Sequence, residues 1–418
     1  MDGDAFFTSV EQAIHPRLRG RPVVTGRERG IIACASYEAR ALGIRRGVAL
    51  WEARRRCPDL VVLPSDYETY SLYSTRMVEL LRRFTPWVEE YSIDESFADI
   101  TGTRRVFHDS YPGIARRIRD TIRAELDITV SVGLSLTKTL AKLASDFRKP
   151  NGLTAVAGRH LHHLLARIPL EDVWGIGHNT AALLQRHGMG TALDYVRREE
   201  SWIDRRLGKV GRELWRELRG EPVHPINTER KTRYATISKG QTFSAPSADA
   251  ESVYARLTKN VHSAFIKLRR HRLRTARLTV VLTRRDYSHH GGEARLNRAT
   301  ASTLEAMPVI HALFDALYQP GAEYRSTMVV LEKISADSED QYDFFEDRIR
   351  IDKQRHLTQV MDRINASYGK HTLTLGPALF LQRAPRHERD APPWRKKALL
   401  KGETPRRRLG IPRLDIKV

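Results

Sequence analysis

A chain of 418 residues exceeds one ordinary hydrophobic core and predicts several domains of about 100–200 residues each. With 41% hydrophobic and 29% charged residues it excludes a disordered chain, and a formal charge of +21 suits a polyanionic partner such as nucleic acid. Two cysteines, Cys34 and Cys57, exclude a disulfide framework and a zinc cluster and are expected as buried thiols of a cytoplasmic protein; no apolar run reaches the roughly 20 residues that cross a bilayer.

The first segment, MDGDAFFTSVE, sets Asp2 beside an apolar run. Only Met1 precedes that acid, so either the chain starts upstream or Asp2 hangs from a frayed end. In SYEARALGI a helical turn would bring Tyr37 and Arg40, three apart, onto one face, as a phosphate grip or as an exposed pair. DYETYSLYSTRMVELLRRFTPW predicts a helix that ends near Pro86, followed by two short β-stretches around Asp94 and Glu95. DITVSVGLSL alternates like a strand and KTLAKLASDF switches to helical spacing, which makes this part mixed α/β. Lys138 and Lys142 lie one turn apart on that helix, toward a catalytic face or toward solvent.

After Asn151-Gly152 the pattern turns helical with repeated glycine, through VWGIGHNTAALLQRHGMGTALDYV and GKVGRELWRELRG, and ends near Pro222 and Pro225. His160, His162 and His163 in HLHHLL fit a helix with surface histidines better than a metal site. Beyond a basic stretch around Lys231 and Arg233, alternating segments such as TARLTVVLTRRDY and STMVVLEKI flank the helical DAESVYARLTKNVHSAFIKLRR, an α+β mixture. His289-His290 before Gly-Gly reads as a loop. From about Ala336 the chain turns acidic, then basic; RIDKQRHLTQVMDRINASYGK reads as an amphipathic helix, and the end is a Pro- and Arg-rich tail without periodicity, expected to be mobile.

The pair Asp94-Glu95 in YSIDES carries the chemistry. Adjacent carboxylates repel, so burying them is costly unless a cation compensates, whereas an isolated Asp-Glu pair more often caps a turn. Successive side chains on a strand point to opposite faces, so both acids reach one site only where the backbone turns, as at a hairpin tip. With Asp2, three carboxylates on separate strands suit Mg²⁺, and two such ions about 4 Å apart can activate a 3′-hydroxyl and stabilise leaving pyrophosphate, which is polymerase chemistry.

In order and spacing, MDGDAFF, SYEAR, YSIDES, SVGLSLTKTLAKLASDFRKPNG and GIG resemble the Y-family translesion DNA polymerases of the DNA polymerase IV type, over roughly residues 1–335. The resemblance implies a multidomain α/β and α+β right hand: palm at 1–10 and 66–157, fingers at 11–65, thumb with a helix-hairpin-helix at 158–226, little finger at 227–335, and a clamp-binding segment and tail at 336–418. It makes Asp2, Asp94 and Glu95 the catalytic, metal-binding acids, with the Gly3 carbonyl as a further ligand of two Mg²⁺ ions, and leaves Asp4 structural. Phe7 stands at the steric gate against ribonucleotides and Phe6 in the core; Tyr37, Arg40 and Lys149 bind the incoming triphosphate, although Lys149 alone could be a surface lysine before a turn. Gly175 and Gly177 approach a DNA phosphate, with a plain helix turn as the alternative.

Gln341, Asp343, Phe344 and Phe345, in QYDFFED, resemble the bacterial sliding-clamp-binding peptide, unless the aromatic pair folds back on the body. The implied partners are primer–template DNA, deoxynucleoside triphosphates and the sliding clamp, with no membrane, and the protein is expected to be a monomer. A catalytically silent DNA- and clamp-binding adaptor of the same family is the main rival, weakened by the presence of all three acids. A palm-fold nucleotide cyclase would need neither GIG nor a clamp peptide.

Overall fold

Asp2 and Gly3 form the two-residue strand β1 (Asp2–Gly3), and the chain start is not frayed. Met1 N donates to Ser96 O (3.0 Å) and Ser96 N to Met1 O (3.1 Å), while Asp2 and Gly3 pair antiparallel with Ser131 and Val130. The expectation of a hanging Asp2 is therefore overturned, because backbone pairing on both sides needs no long strand to hold it. The computed structural model describes residues 1–229, 234–337, 346–368 and 372–383. It divides into two units, Met1–Arg230 and Lys231–Val418.

In the first unit α1 (Phe6–Ile14) leads to a small subdomain of β2 (Val23–Thr25), β3 (Cys34–Ala35), α2 (Tyr37–Ala41), α3 (Leu50–Arg56) and β4 (Val61–Leu63). Its own core gathers Val24, Ile32, Ala39, Ile44, Ala53 and Cys57. Cys57 is buried as expected, but Cys34 is only half-buried, at the strand edge where its thiol meets the Thr8 hydroxyl (3.8 Å).

The chain then returns through α4 (Tyr67–Arg82), the hairpin β5 (Val88–Glu90) and β6 (Ser96–Ala98), α5 (Arg104–Phe107), α6 (Tyr111–Leu126), β7 (Val130–Leu134), α7 (Lys138–Asp146) and β8 (Leu153–Ala155). Capping residues start the long helices: the Asp66 carboxylate accepts from Thr69 N, Ser110 Oγ from Gly113 N and Thr137 Oγ1 from Leu140 N. Ile114, Ile118 and Ile122 recur every fourth residue on α6 and bury one stripe against Phe6, Val10, Met77 and Leu81, each worth about 1.5–3 kcal/mol. The sheet runs β1-β7-β8, with β1 antiparallel and β8 parallel to β7. A bridge from Asp2 to Glu95 adds the β5–β6 hairpin at its edge.

A helical core follows in α8 (Leu161–Leu165), α9 (His178–Arg186), α10 (Ala192–Arg197) and α11 (Glu200–Leu218), around Leu170, Leu184, Tyr195 and Ile203. The three histidines of HLHHLL are exposed, as expected.

The second unit is one antiparallel sheet of β9 (Ile237–Ser247), β10 (Leu273–Arg284), β11 (His289–Thr300) and β12 (Tyr324–Ala336), in the order β11-β10-β12-β9. Helices α12 (Ala250–Arg270) and α13 (Thr303–Leu317) share its core of Val253, Phe265, Leu278, Val280, Ile310 and Val329. His289 and His290 belong to β11, paired with Thr283 and Leu282, not to a loop. Gly291-Gly292 is accommodated in register because Gly292 lies under Leu313 and Leu317 of α13, which a side chain there would crowd.

Part of the stretch expected as segment and tail is folded. The amphipathic helix is α14 (Arg348–Tyr368), tied by Asp362 to Arg269 of α12 (2.6 and 2.9 Å), and a short α15 (Phe380–Arg383) follows. Gln341, Asp343, Phe344, Phe345 and the basic end from 384 lie outside the described residues.

Candidate active site

Asp94 and Glu95 sit in the turn of the β5–β6 hairpin, where Tyr91 N and Ser92 N both donate to Glu95 O (3.2 and 3.1 Å). The turn breaks the strand alternation, so both carboxylates reach the Ser92 hydroxyl, at 2.8 Å from Asp94 Oδ1 and 3.1 Å from Glu95 Oε2. Gly3 N donates to Asp94 O (2.8 Å), which sets β1 directly beside that turn. Acids from the start of the chain and from the hairpin turn are thereby brought together.

Helix α7 brings the compensating charge. It packs tightly on β7 because Gly133 has no side chain; a Cβ there would come 1.9 Å from Ala141 O. Lys142 Nζ consequently reaches Asp2 Oδ2, Glu95 Oε1 (2.7 Å) and Asp146 Oδ2 (3.0 Å), and Lys149 Nζ reaches Asp2 Oδ1 (2.7 Å) and Asp146 Oδ1 (2.5 Å). Burial opposes ionisation of Asp2, but Lys149 and Lys142 outweigh it and hold its carboxyl below the usual range. The Lys142 ammonium is held above the ordinary lysine range, its burial outweighed by Asp2, Glu95 and Asp146. Asp94 has no such partner: burial pushes its carboxyl up, and Asp2 and Glu95 add to the rise against the Ser92 hydrogen bond.

Asp4 turns away from this cluster, accepting from Ser131 Oγ and Asn151 N (both 2.7 Å), and so fastens β1 and the turn that carries Lys149. Phe6 is buried in the core, whereas Phe7 is half-buried, stacked on Tyr70 (4.4 Å) and edge-on to Tyr67 (5.4 Å). Tyr37 and Arg40 do share a face of α2: the guanidinium lies 4.8 Å from the Tyr37 ring and its Nε donates to Ala35 O (2.9 Å). Tyr37 Oη is buried without a hydrogen-bond partner, and its pKa is pushed up to about 12, by burial first and by Asp4 next.

Gly175, at φ +100°, makes the turn before α9, and Gly177 caps that helix with no side chain, so its first amides are left for another acceptor. Trp174, just before Gly175, packs edge-on against Tyr91 (5.3 Å) and lies 5.9 Å from Phe97, which fastens this loop to the hairpin of Asp94 and Glu95. Sequence reasoning left Lys142 unassigned and did not single out Trp174 or Asp146. For Lys142 the available signal was its spacing from Asp146 on a helix following a glycine-bearing strand.

Among the described residues no three His, Cys, Asp or Glu side chains are arranged to hold a metal as they stand. The donor set still fits a hard divalent cation: Asp2, Asp94 and Glu95 offer only oxygens, two of them already share one ammonium, and the third is a carboxylate whose burial lacks a cation.

Residues 1–146 match the impB/mucB/samB family and residues 235–344 the C-terminal domain of that family. A DNA polymerase IV of Bacillus velezensis is 30% identical over 389 residues, covering 91% of this chain and 92% of that one. The chain belongs to the Y-family DNA polymerases. A DNA polymerase IV of Bacteroides fragilis is 38% identical over 232 residues, 55% of this chain and 64% of that protein. Among solved structures, a Y-family DNA polymerase chimera built on Dbh overlays with a TM-score of 0.69 at 25% identity, covering 80% of this chain and 98% of its own. An insertion ternary complex of Dbh DNA polymerase gives 0.53 at 26% identity, over 80% of this chain and 98% of that one. The right-hand architecture expected from the sequence is thus the fold. The activity is template-directed DNA synthesis of the translesion kind, and nothing favours a silent adaptor.

Proposed function

We propose that Asp2, Asp94 and Glu95, with the Gly3 carbonyl, hold the two Mg²⁺ ions of nucleotidyl transfer. The observation that carries this reading is the convergence of the hairpin turn and β1 through the Asp2–Glu95 bridge and the Gly3–Asp94 hydrogen bond. In the reaction the primer 3′-oxygen bonds to the α-phosphorus of the incoming deoxynucleotide, the bond to the β-phosphate oxygen breaks, and pyrophosphate leaves. The bound ions would activate the 3′-hydroxyl and neutralise the pyrophosphate.

The remaining side chains supply position and charge. The unpartnered Tyr37 hydroxyl and the Arg40 guanidinium beside it offer donors to triphosphate oxygens, and Lys149 adds a point charge next to Asp2. Phe7, braced by Tyr67 and Tyr70, presents a wall to a ribose 2′-hydroxyl. Gly175 and Gly177 open backbone amides to a DNA phosphate.

On this reading the palm spans 1–10 and 66–157, the fingers 11–65, the thumb 158–226 and the little finger 227–335. Partners are primer–template DNA, deoxynucleoside triphosphates and a bacterial sliding clamp bound through Gln341, Asp343, Phe344 and Phe345. The protein acts as a cytoplasmic monomer; no helix among the described residues is long and apolar enough to cross a membrane. Primer extension on a lesion-bearing template with Mg²⁺ tests it: Asp94→Ala and Glu95→Ala each lower the rate by at least about 10³-fold. Equal rates in wild type and both variants refute the assignment.

A further inference from the structure

We propose that the outer face of α3 is a single-stranded DNA site that takes the uncopied template strand ahead of the active site; this rests on the polymerase reading. Helix α3 buries Leu50 and Ala53, yet its second residue, Trp51, is 64% exposed, which leaves most of an indole ring in water. Arg54 and Arg55 stand three and four residues on, on the same face, exposed and without an ion pair among the described residues. Arg56, by contrast, is held by Glu52 (2.6 Å) and Gly43 O (2.9 Å), so the one acid of α3 is directed away from that face. Arg45 and Arg46, exposed just upstream, extend the positive charge.

The position matters as much as the composition. Leu50 N donates to Gly30 O (3.0 Å); the neighbouring Arg29 guanidinium lies 5.4 Å from the Tyr67 ring, and Tyr67 meets Phe7 edge-on. The helix thus begins one hydrogen bond from the loop that borders the nucleotide gate. An open aromatic ring flanked by free guanidinium groups matches an unstacked base and its phosphates. Duplex DNA offers no free base face, so it has little use for the ring.

Binding of the full chain to two primer–templates tests the proposal, one with a single-nucleotide template overhang and one with about ten overhanging thymidines. The wild type should bind the long overhang about tenfold more tightly, within what stacking on one aromatic ring supplies. Trp51→Ala should abolish that preference and leave short-overhang affinity unchanged, while Trp51→Phe keeps most of it. Arg54→Ala with Arg55→Ala should flatten the log–log salt dependence for the long overhang by about 1.4, from roughly 0.7 per lost contact. A full preference retained in Trp51→Ala overturns the site, as does an equal loss on both DNAs or no preference in the wild type. If the wild type shows no preference yet incorporates nucleotides, the site alone fails; if it incorporates none, the polymerase reading fails whatever the overhang does.

Discussion

Phe7 is held from two sides, stacked on Tyr70 and edge-on to Tyr67, and Tyr70 is itself fixed by a hydrogen bond to the buried Glu11 (2.6 Å). On the proposed gate role, a ring anchored this way is a fixed wall against an extra hydroxyl, so its removal should alter choice of sugar more than rate. Phe7→Ala is expected to lower discrimination of deoxy- against ribonucleotides by about 10- to 100-fold in kcat/KM, measured by single-nucleotide incorporation. Unchanged discrimination would take Phe7 out of the gate. At this scale the sequence was informative where a residue type is rare in its setting, as with Asp94 beside Glu95. It was silent on Lys142, because a lysine one turn from another lysine on an amphipathic helix looks the same whether it meets solvent or three carboxylates.

Helix α10 shows how an element depends on its ends. Thr191 Oγ1 accepts from Asp194 N (3.2 Å), and Asp194 Oδ2 accepts from Thr191 N, Thr191 Oγ1 and Gly190 N, a reciprocal cap on a helix of six residues. The Thr191 hydroxyl chiefly, with the two amides, holds the Asp194 carboxyl below its ordinary 3.8. A carboxylate lowered on folding stabilises the fold above its unfolded pKa and loses that contribution as pH falls through the folded value. Asp194→Ala should therefore cost about 1 kcal/mol at pH 7, read as a lower thermal midpoint, and the gap to wild type should narrow below about pH 3.8. A gap that does not depend on pH would mean that Asp194 acts through packing. The hairpin at Asp94 was legible from the pleat argument alone. Strand β11 was not, since His289-His290-Gly291-Gly292 carries every local mark of a loop and is held in register only by β10 and the helix above it.

Across the whole molecule, motif order exposed the architecture, because metal chemistry and phosphate grips need particular residues at particular places. What the chain could not reveal was how a two-residue strand keeps Asp2 in place: the answer lies in β7 on one side and the hairpin on the other, with Asp4 pinned to Ser131 and Asn151. Nor could it show that α7 approaches close enough, over Gly133, to set an ammonium between Asp2 and Glu95. The central claim is that these distant acids form one metal centre. Its most direct test is a Mn²⁺ titration followed by electron paramagnetic resonance, with primer–template and a non-hydrolysable deoxynucleotide bound. The wild type should hold two ions per chain, and Asp94→Asn or Glu95→Gln should lose at least one. Variants that bind the same number of ions with the same affinity as wild type would contradict it.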